Sequence, residues 1–449
     1  MTNRSTGPRS TGTRSTGPRR TLRRPAALLL AAALATPLFA GCGSTGAAAP
    51  VELRASAPAS RPAVDPAQVA ATAAATDAFG LDLLHTLTAQ PDAADRNLVV
   101  SPSGLATLLA MLLPGARGTT AEELAKALHT GLTPQQYALA TGELNRPVPA
   151  TGKLTLSRSD DVWTQRGLSV APDYLATLAA AFDTGVHQTD FAKDPDGARK
   201  TVNETVEKAT DGRIKDLFGQ GAITQDTRLV LTDALCLKAE WASAFKPSHT
   251  ADRPFHKLDG SAPAVPTMGQ TGDFKYADGS GGIAGEPWQA VELPYADGGL
   301  VMDLIVPAQG GFADFAKSLD QPQLDRILGA LAERPVDLQL PRFHFGTSEE
   351  LTPALRSLGV RAAFDGADFG GITKDPLVVG TVVQKATVEV DEKGTVAAAG
   401  SGAGMEAAAA PQADKPVRLH LDRPFLFLIR DTRGGAPLFL GQVTDPQAR

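Results

Sequence analysis

Residues 382–411 read VVQKATVEVDEKGTVAAAGSGAGMEAAAAP, and how this stretch is read decides the fold. It opens as a strand, with Val383, Lys385, Thr387 and Glu389 alternating against Gln384, Ala386, Val388 and Val390. Small residues then run almost unbroken to Pro411. Composition alone reads this run as a flexible linker, but the alternation persists. Every second residue from Thr395 (Thr395, Ala397, Ala399, Ser401, Ala403, Met405) is small or apolar. The opposite face carries Val396, Ala398, Gly400, Gly402, Gly404 and Glu406, the only charge in the run. Side chains alternate across a strand, so the loop can enter a sheet without burying that charge. It is a loop that is also a latent strand.

The rest of the chain offers such a strand a sheet to join. Helical patterns fall at about 67–89, 101–113, 119–128, 134–143, 172–181, 195–210, 312–318, 321–333 and 349–358, with Pro102, Pro134 and Pro172 at or near helix starts. Strand patterns fall at about 153–164, 228–240, 253–258, 288–294, 299–306, 336–345, 378–392, 416–422, 424–430 and 437–443. Helices gather early and strands late, without a βαβ rhythm, so the fold class is α+β with mostly antiparallel sheets and about nine helices. Of 449 residues, 43% are hydrophobic, and no break in composition divides 76–446, which reads as one domain. A net charge of −6 excludes a strongly basic nucleic-acid binder, and no nucleic-acid partner is expected.

Catalytic constellations are missing. There is no G-x-S-x-G; Ser280 and Ser401 lie in glycine-rich loops without strand–helix context. Ser243-Ala244-Phe245-Lys246 fits S-x-x-K, but Pro247 denies it the helix that motif needs. The seven histidines are scattered, His249 and His256 are too far apart for one helical face, and no H-E-x-x-H, Walker or dinucleotide fingerprint occurs. No enzyme, metal or cofactor is expected. Cys236, the one cysteine after residue 42, sits in the buried-strand pattern LVLTDALCL and reads as a core thiol.

The N-terminus is a separate matter. Residues 1–41 read as a secretory signal: the basic repeat STGPR, a charged run through Arg23-Arg24, then apolar Ala26 to Ala35, too short to span a membrane. The paired arginines permit either twin-arginine or general export. Phe39-Ala40-Gly41-Cys42 is similar to a bacterial lipoprotein cleavage box, so Cys42 is the expected lipidation site; an ordinary cleavage site with an incidental cysteine is the alternative. Residues 42–75, rich in Ala, Pro and Ser, read as a tether. The expected address is extracytoplasmic, either lipid-anchored to the bacterial cell membrane or secreted.

At Asp391-Glu392-Lys393-Gly394-Thr395-Val396-Ala397-Ala398-Ala399 the chain resembles the reactive-loop hinge of the serpins, inhibitors that trap a protease by loop insertion. Asn97-Leu98-Val99-Val100-Ser101-Pro102, Gly115 to Thr120, Val202 to Ile214, Trp241 with Phe245, Arg423 to Arg430 and Leu438 to Gly441 resemble further family segments, in family order over about 76–446.

The resemblance implies an exposed reactive-centre loop at about 393–415 and a monomer whose partner is a target serine protease, with a cysteine protease open. It implies a covalent suicide-substrate trap. The scissile bond it implies is Ala408–Ala409, sixteen residues beyond Glu392. Because the span from Glu392 to Pro424 is longer than usual, Met405, Ala407, Ala409 and Ala410 stay open as alternatives. A small residue there suits an elastase- or subtilisin-like target. The resemblance also implies a hinge pair between Arg342 and Glu392 and a sheet-opening region at Ser101, Asp233, Gln384 and Trp241. Three positions depart from the family pattern: Gln384 replaces a usual His, Asp233 an Asn and Gly104 a Ser. Gln384 could donate to a buried Asp233 with a raised pKa. A non-inhibitory binding or carrier protein of the same fold is the rival reading; bulky or charged hinge residues would favour it, and Gly394, Thr395 and Ala397–Ala399 are neither.

Overall fold

The computed structural model describes residues 50–56, 61–90, 93, 95–283, 285–296, 298–395 and 415–448. Nine α-helices occur among them: α1 (Pro66–Thr88), α2 (Pro102–Leu112), α3 (Gly118–Ala127), α4 (Pro134–Leu144), α5 (Pro172–Phe182), α6 (Pro195–Ala209), α7 (Phe312–Ser318), α8 (Gln321–Ala330) and α9 (Thr352–Ser357). Seven of them carry proline in the first turn, five of those behind a side-chain cap. Asp65, Ser101, Thr133, Asp194 and Asp320 each accept a first-turn N–H.

The first sheet holds β1 (Val51–Leu53), β3 (Leu154–Gln165), β4 (Val186–Thr189), β5 (Leu229–Glu240), β11 (Phe343–Glu350), β12 (Thr381–Val390) and β13 (Gly394–Thr395), while β2 (Leu98–Val100) belongs to the second. Its order is β1-β4-β3-β5-β13-β12-β11. The second sheet continues with β6 (Ala251–Pro254), β7 (Ala264–Ile283), β8 (Glu286–Pro294), β9 (Leu300–Pro307), β10 (Ala332–Pro341), β14 (Val417–His420), β15 (Phe425–Asp431) and β16 (Pro437–Val443), ordered β14-β10-β7-β8-β9-β15-β16-β2 with β6 on β7. Parallel pairing is confined to β3–β4, β5–β12 and β10–β14. The fold is α+β with mostly antiparallel strands, as the sequence predicts.

Helix α2 is buried along its whole length. On the other face of the first sheet, α6 lays Ala198, Val202 and Val206 onto Trp163, Val230, Ala234, Cys236 and Val383, so the cysteine is a core thiol. Between the sheets, Phe343, Phe345, Phe425 and Phe427 pack ring against ring.

The structure corrects several expectations. The single strand expected at 336–345 is two strands in two sheets, β10 and β11, separated at Arg342, because the chain crosses between sheets after Pro341. Strand β7 was hidden by its glycines and proline. The 42–75 segment is not all tether: Val51–Leu53 pairs with β4, and α1 starts at Pro66. The signal region, Cys42 and residues 396–414 lie outside the described residues.

Candidate functional site

Strands β5 and β12 run parallel and paired from Val230/Thr381 to Cys236/Thr387. Above Cys236 they part, and the hinge lies between them. Gly394 pairs with Glu240, and Thr395 pairs with both Ala239 and Val390. The expectation that the hinge from Gly394 onward waits outside the sheet is thus corrected at its first two residues. They already form β13.

Gly394 is there because nothing larger fits. A Cβ at this position would stand 1.9 Å from the Ala239 carbonyl oxygen and 2.7 Å from the Glu240 Cα, both backbone atoms that cannot yield. Thr395 is fully buried, its hydroxyl 2.6 Å from the Tyr295 hydroxyl. Tyr295 stacks on Trp241 at 4.6 Å, and Trp241 meets Phe245 edge-on. The Trp241 indole donates to the Asp391 carbonyl at 2.9 Å, and its backbone N–H donates to Lys393 O at 2.7 Å. The Phe245 N–H donates to Glu392 O at 2.8 Å. Asp391 folds the turn itself, its carboxylate accepting from the N–H groups of Lys393 (2.8 Å) and Gly394 (3.1 Å). Trp241 therefore belongs to the clamp on the turn, one element above the point where β5 and β12 part.

Glu392 is buried against the crossing between the sheets. Arg342 Nε donates to Glu392 Oε1 at 2.9 Å, and Arg342 Nη2 and the Thr250 hydroxyl donate to the same oxygen. Burial alone pushes the Glu392 carboxyl up, but these donors together hold it below the usual carboxylate range. A planar guanidinium suits this position.

The second cluster lies deeper. Gln384 on β12 donates through Nε2 to Asp233 Oδ2 and to Ser101 O, and accepts from the Ser101 N–H at 2.9 Å, so it binds the cap of α2 to β5. Asp233 is opposite Asp160 of β3 in register. Neither Asp160 Oδ1 nor Asp233 Oδ1 has a donor, and both are sealed from solvent. Arg158 pairs with the other oxygen of Asp160 and reaches Ser103 O and the Thr107 hydroxyl. Burial first, then the neighbouring Asp160 charge, raises Asp233 well above the ordinary value, whereas Arg158 restrains the rise at Asp160. The two carboxyls titrate as a pair, and burial beside a like charge favours the neutral form at Asp233. Asp160, Arg158, Tyr295 and Thr250 were not picked from sequence. The pattern Arg158-Ser159-Asp160, two charges on one face of a predicted strand, was the available signal for the first two.

Val396, Ala397, Ala398, Ala399, Met405, Ala407, Ala408, Ala409 and Ala410 lie outside the described residues, so the site in hand is the hinge and the sheet beneath it. Among the described residues no group of His, Cys, Asp and Glu is placed to hold a metal.

The site is thus a two-residue strand set between two parallel strands, above a buried polar cluster that ties both to the cap of α2. Residues 74–446 match the family model described as Serpin (serine protease inhibitor), and the chain belongs to that family. An uncharacterized serpin-like protein of Thermococcus kodakarensis is 34% identical, the match covering 83% of this chain and 85% of that one. Plasminogen activator inhibitor 1 of Neovison vison is also 34% identical, over 78% of this chain and 88% of its own. Among solved structures, native protease nexin-1 with heparin superposes with a TM-score of 0.73 at 25% identity, covering 85% of this chain and all of that one. Uncleaved ovalbumin, at 24% identity, gives the same TM-score and shares the fold.

Proposed function

We propose that this chain inhibits serine endopeptidases, with cysteine enzymes as secondary targets, by covalent trapping coupled to loop insertion. The seated hinge carries the reading: Gly394 and Thr395 occupy the head of the slot that a longer strand would fill. The protease serine Oγ attacks the carbonyl carbon of the reactive residue, Ala408 in the first instance. The Ala408–Ala409 amide breaks, Ala409 leaves as an amine protonated by the protease's own general acid, and an ester joins the two proteins. The released hinge then extends β13 between β5 and β12. On the order of a dozen new ladder bonds at about 0.5–1.5 kcal/mol each give on the order of 10 kcal/mol to drag and deform the attached enzyme. Met405, Ala407 and Ala410 are the alternative reactive residues. The alanines among them favour a protease with a small apolar pocket, elastase- or subtilisin-like. The chain itself turns nothing over. We further propose that Cys42 is lipidated and holds the inhibitor at the outer face of the cell membrane.

The test is to mix the protein with a subtilisin and with an elastase, then examine denaturing gels and the mass of the small C-terminal fragment. A complex stable to denaturant and a fragment beginning at Ala409 are expected. Cleavage without any complex would leave the binding or carrier reading in its place.

A further inference from the structure

Away from the hinge, the last turn of α1 and the short helix α7 enclose a cleft together with the turn between β6 and β7. Its volume is about 620 Å³, a size that suits a small molecule. Leu258, Phe312, Ala313 and Ala316 supply an apolar wall. Leu258 is 38% exposed, one of three large apolar side chains so open among the described residues. Its turn is fixed on both sides. Lys257 pairs with Asp445 at 2.8 Å, and Asp259 Oδ1 accepts the Ser261 N–H at 2.8 Å.

The polar groups of the cleft are acceptors. The Thr88 hydroxyl donates to Leu84 O at 2.8 Å, which leaves its lone pairs open. His85 Nε2 lies 2.9 Å from Ala316 O, and a carbonyl oxygen only accepts, so Nε2 carries the proton and Nδ1 of the neutral ring is an acceptor. Asp95 is exposed, and its main chain is fixed by the Thr444 hydroxyl, which donates to Asp95 O at 2.8 Å. The Asp95 carboxylate has no donor among the described residues. Helices α1 and α7 both end at the cleft, and the negative ends of their dipoles add to the same sign. Among the described residues that line it the cation is Lys317, whose ammonium ends a long flexible stem in the last turn of α7 and is exposed to water.

We propose that this cleft binds a primary ammonium carried on an apolar aromatic or alkyl body. An ammonium brings a full positive charge and three donors, which match the open acceptors and the two helix ends. The body covers Leu258 and the apolar face of α7. A carboxylate in the same place would meet Asp95 and both negative helix ends, and a neutral alcohol would leave the Asp95 charge unmatched. The cleft contains no residue of the hinge, so the assignment stands apart from the loop-insertion reading.

The test titrates the full chain with tryptamine and with two probes of the same ring, tryptophol and indole-3-propanoate, by calorimetry and saturation-transfer NMR. Tryptamine should bind saturably at one site, at least about tenfold more tightly than either companion. Asp95→Asn should weaken tryptamine at least about tenfold. Ala313→Trp, a change at an exposed position that fills the cleft, should abolish binding. Lys317→Ala should bind tryptamine as tightly as the wild type or more so. Melting curves establish that each variant is folded, and protease trapping is no part of the readout. Absence of saturable tryptamine binding, equal affinity for the three probes, or wild-type affinity in either Asp95→Asn or Ala313→Trp would overturn the proposal. So would a loss on Lys317→Ala, which would mark a site for an anion.

Discussion

A Cβ at position 104 would stand 2.1–2.4 Å from the Asp233 carboxylate, which explains why glycine and Asp233 occur together in this chain. The three departures from the family pattern are therefore one change. Asp233 needs the room that Gly104 leaves, and Gln384 supplies the amide that Asp233 accepts. Its cost is a buried carboxyl that must stay protonated beside Asp160, with Arg158 the nearest cation. The sign follows from linkage. A raised folded pKa means the native state keeps a proton that the unfolded chain releases. That contribution is full below the ordinary carboxyl value and is lost as pH rises, from about pH 4 up through the folded pKa, at most about 1.4 kcal/mol per unit. An asparagine donates to Asp160 permanently and still accepts from Gln384, so Asp233→Asn should gain stability over the wild type steadily with pH. Asp77, pushed up to about 8 by burial, and Asp303, pushed up to about 6 by burial, give both proteins a common background slope. The measurement is the difference in melting temperature between the two proteins from about pH 5 to pH 8. Two parallel curves would mean that Asp233 is ionised in the fold.

At the scale of elements, the hinge is two residues of strand held by an aromatic stack, a turn and an ion pair. Thr395 fills a space closed by Tyr295 and the β5 backbone, so Thr395→Arg sets a charge where none can be paired, costing several kcal/mol even after relaxation. The hinge should be expelled, the loop cut as before, and insertion slowed below deacylation. The variant then behaves as a substrate. Val396→Arg, on the alternate face, should trap protease nearly as well as the wild type; the ratio of complex to cleaved protein on a denaturing gel separates the two. Equal trapping by both variants would show that this strand does not lead insertion.

What was legible at this scale follows from physics. The helices could be read because their starts combine a cap with proline, as at Thr133-Pro134 and Asp194-Pro195. Strand β7 could not, since AVPTMGQTGDFKYADGSGGI mixes strand formers with turn formers and its extension comes from partners β10 and β8 on either side. The Arg342–Glu392 pair was available only through the resemblance. Tyr295, which closes the Thr395 space, lies 100 residues away, and nothing local marks it.

For the whole molecule, the feature the sequence hid is that the folded body reaches back to Val51. Only residues 43–50 separate β1 from Cys42 in sequence, and the segment read as a long tether contributes β1 and the first turns of α1 to the fold. Among the described residues no helix is long and apolar enough to cross a membrane. Two mechanisms then compete: acyl chains on Cys42 or an uncleaved apolar segment. Two chains on one cysteine give stable attachment where one is marginal. Cys42→Ala should move the protein from the membrane pellet to the soluble fraction, and labelled palmitate should enter the wild type alone. The double readout decides between the two mechanisms. A variant that stays in the pellet, with an unlabelled wild type, would assign retention to the apolar leader and leave Cys42 with no part in it.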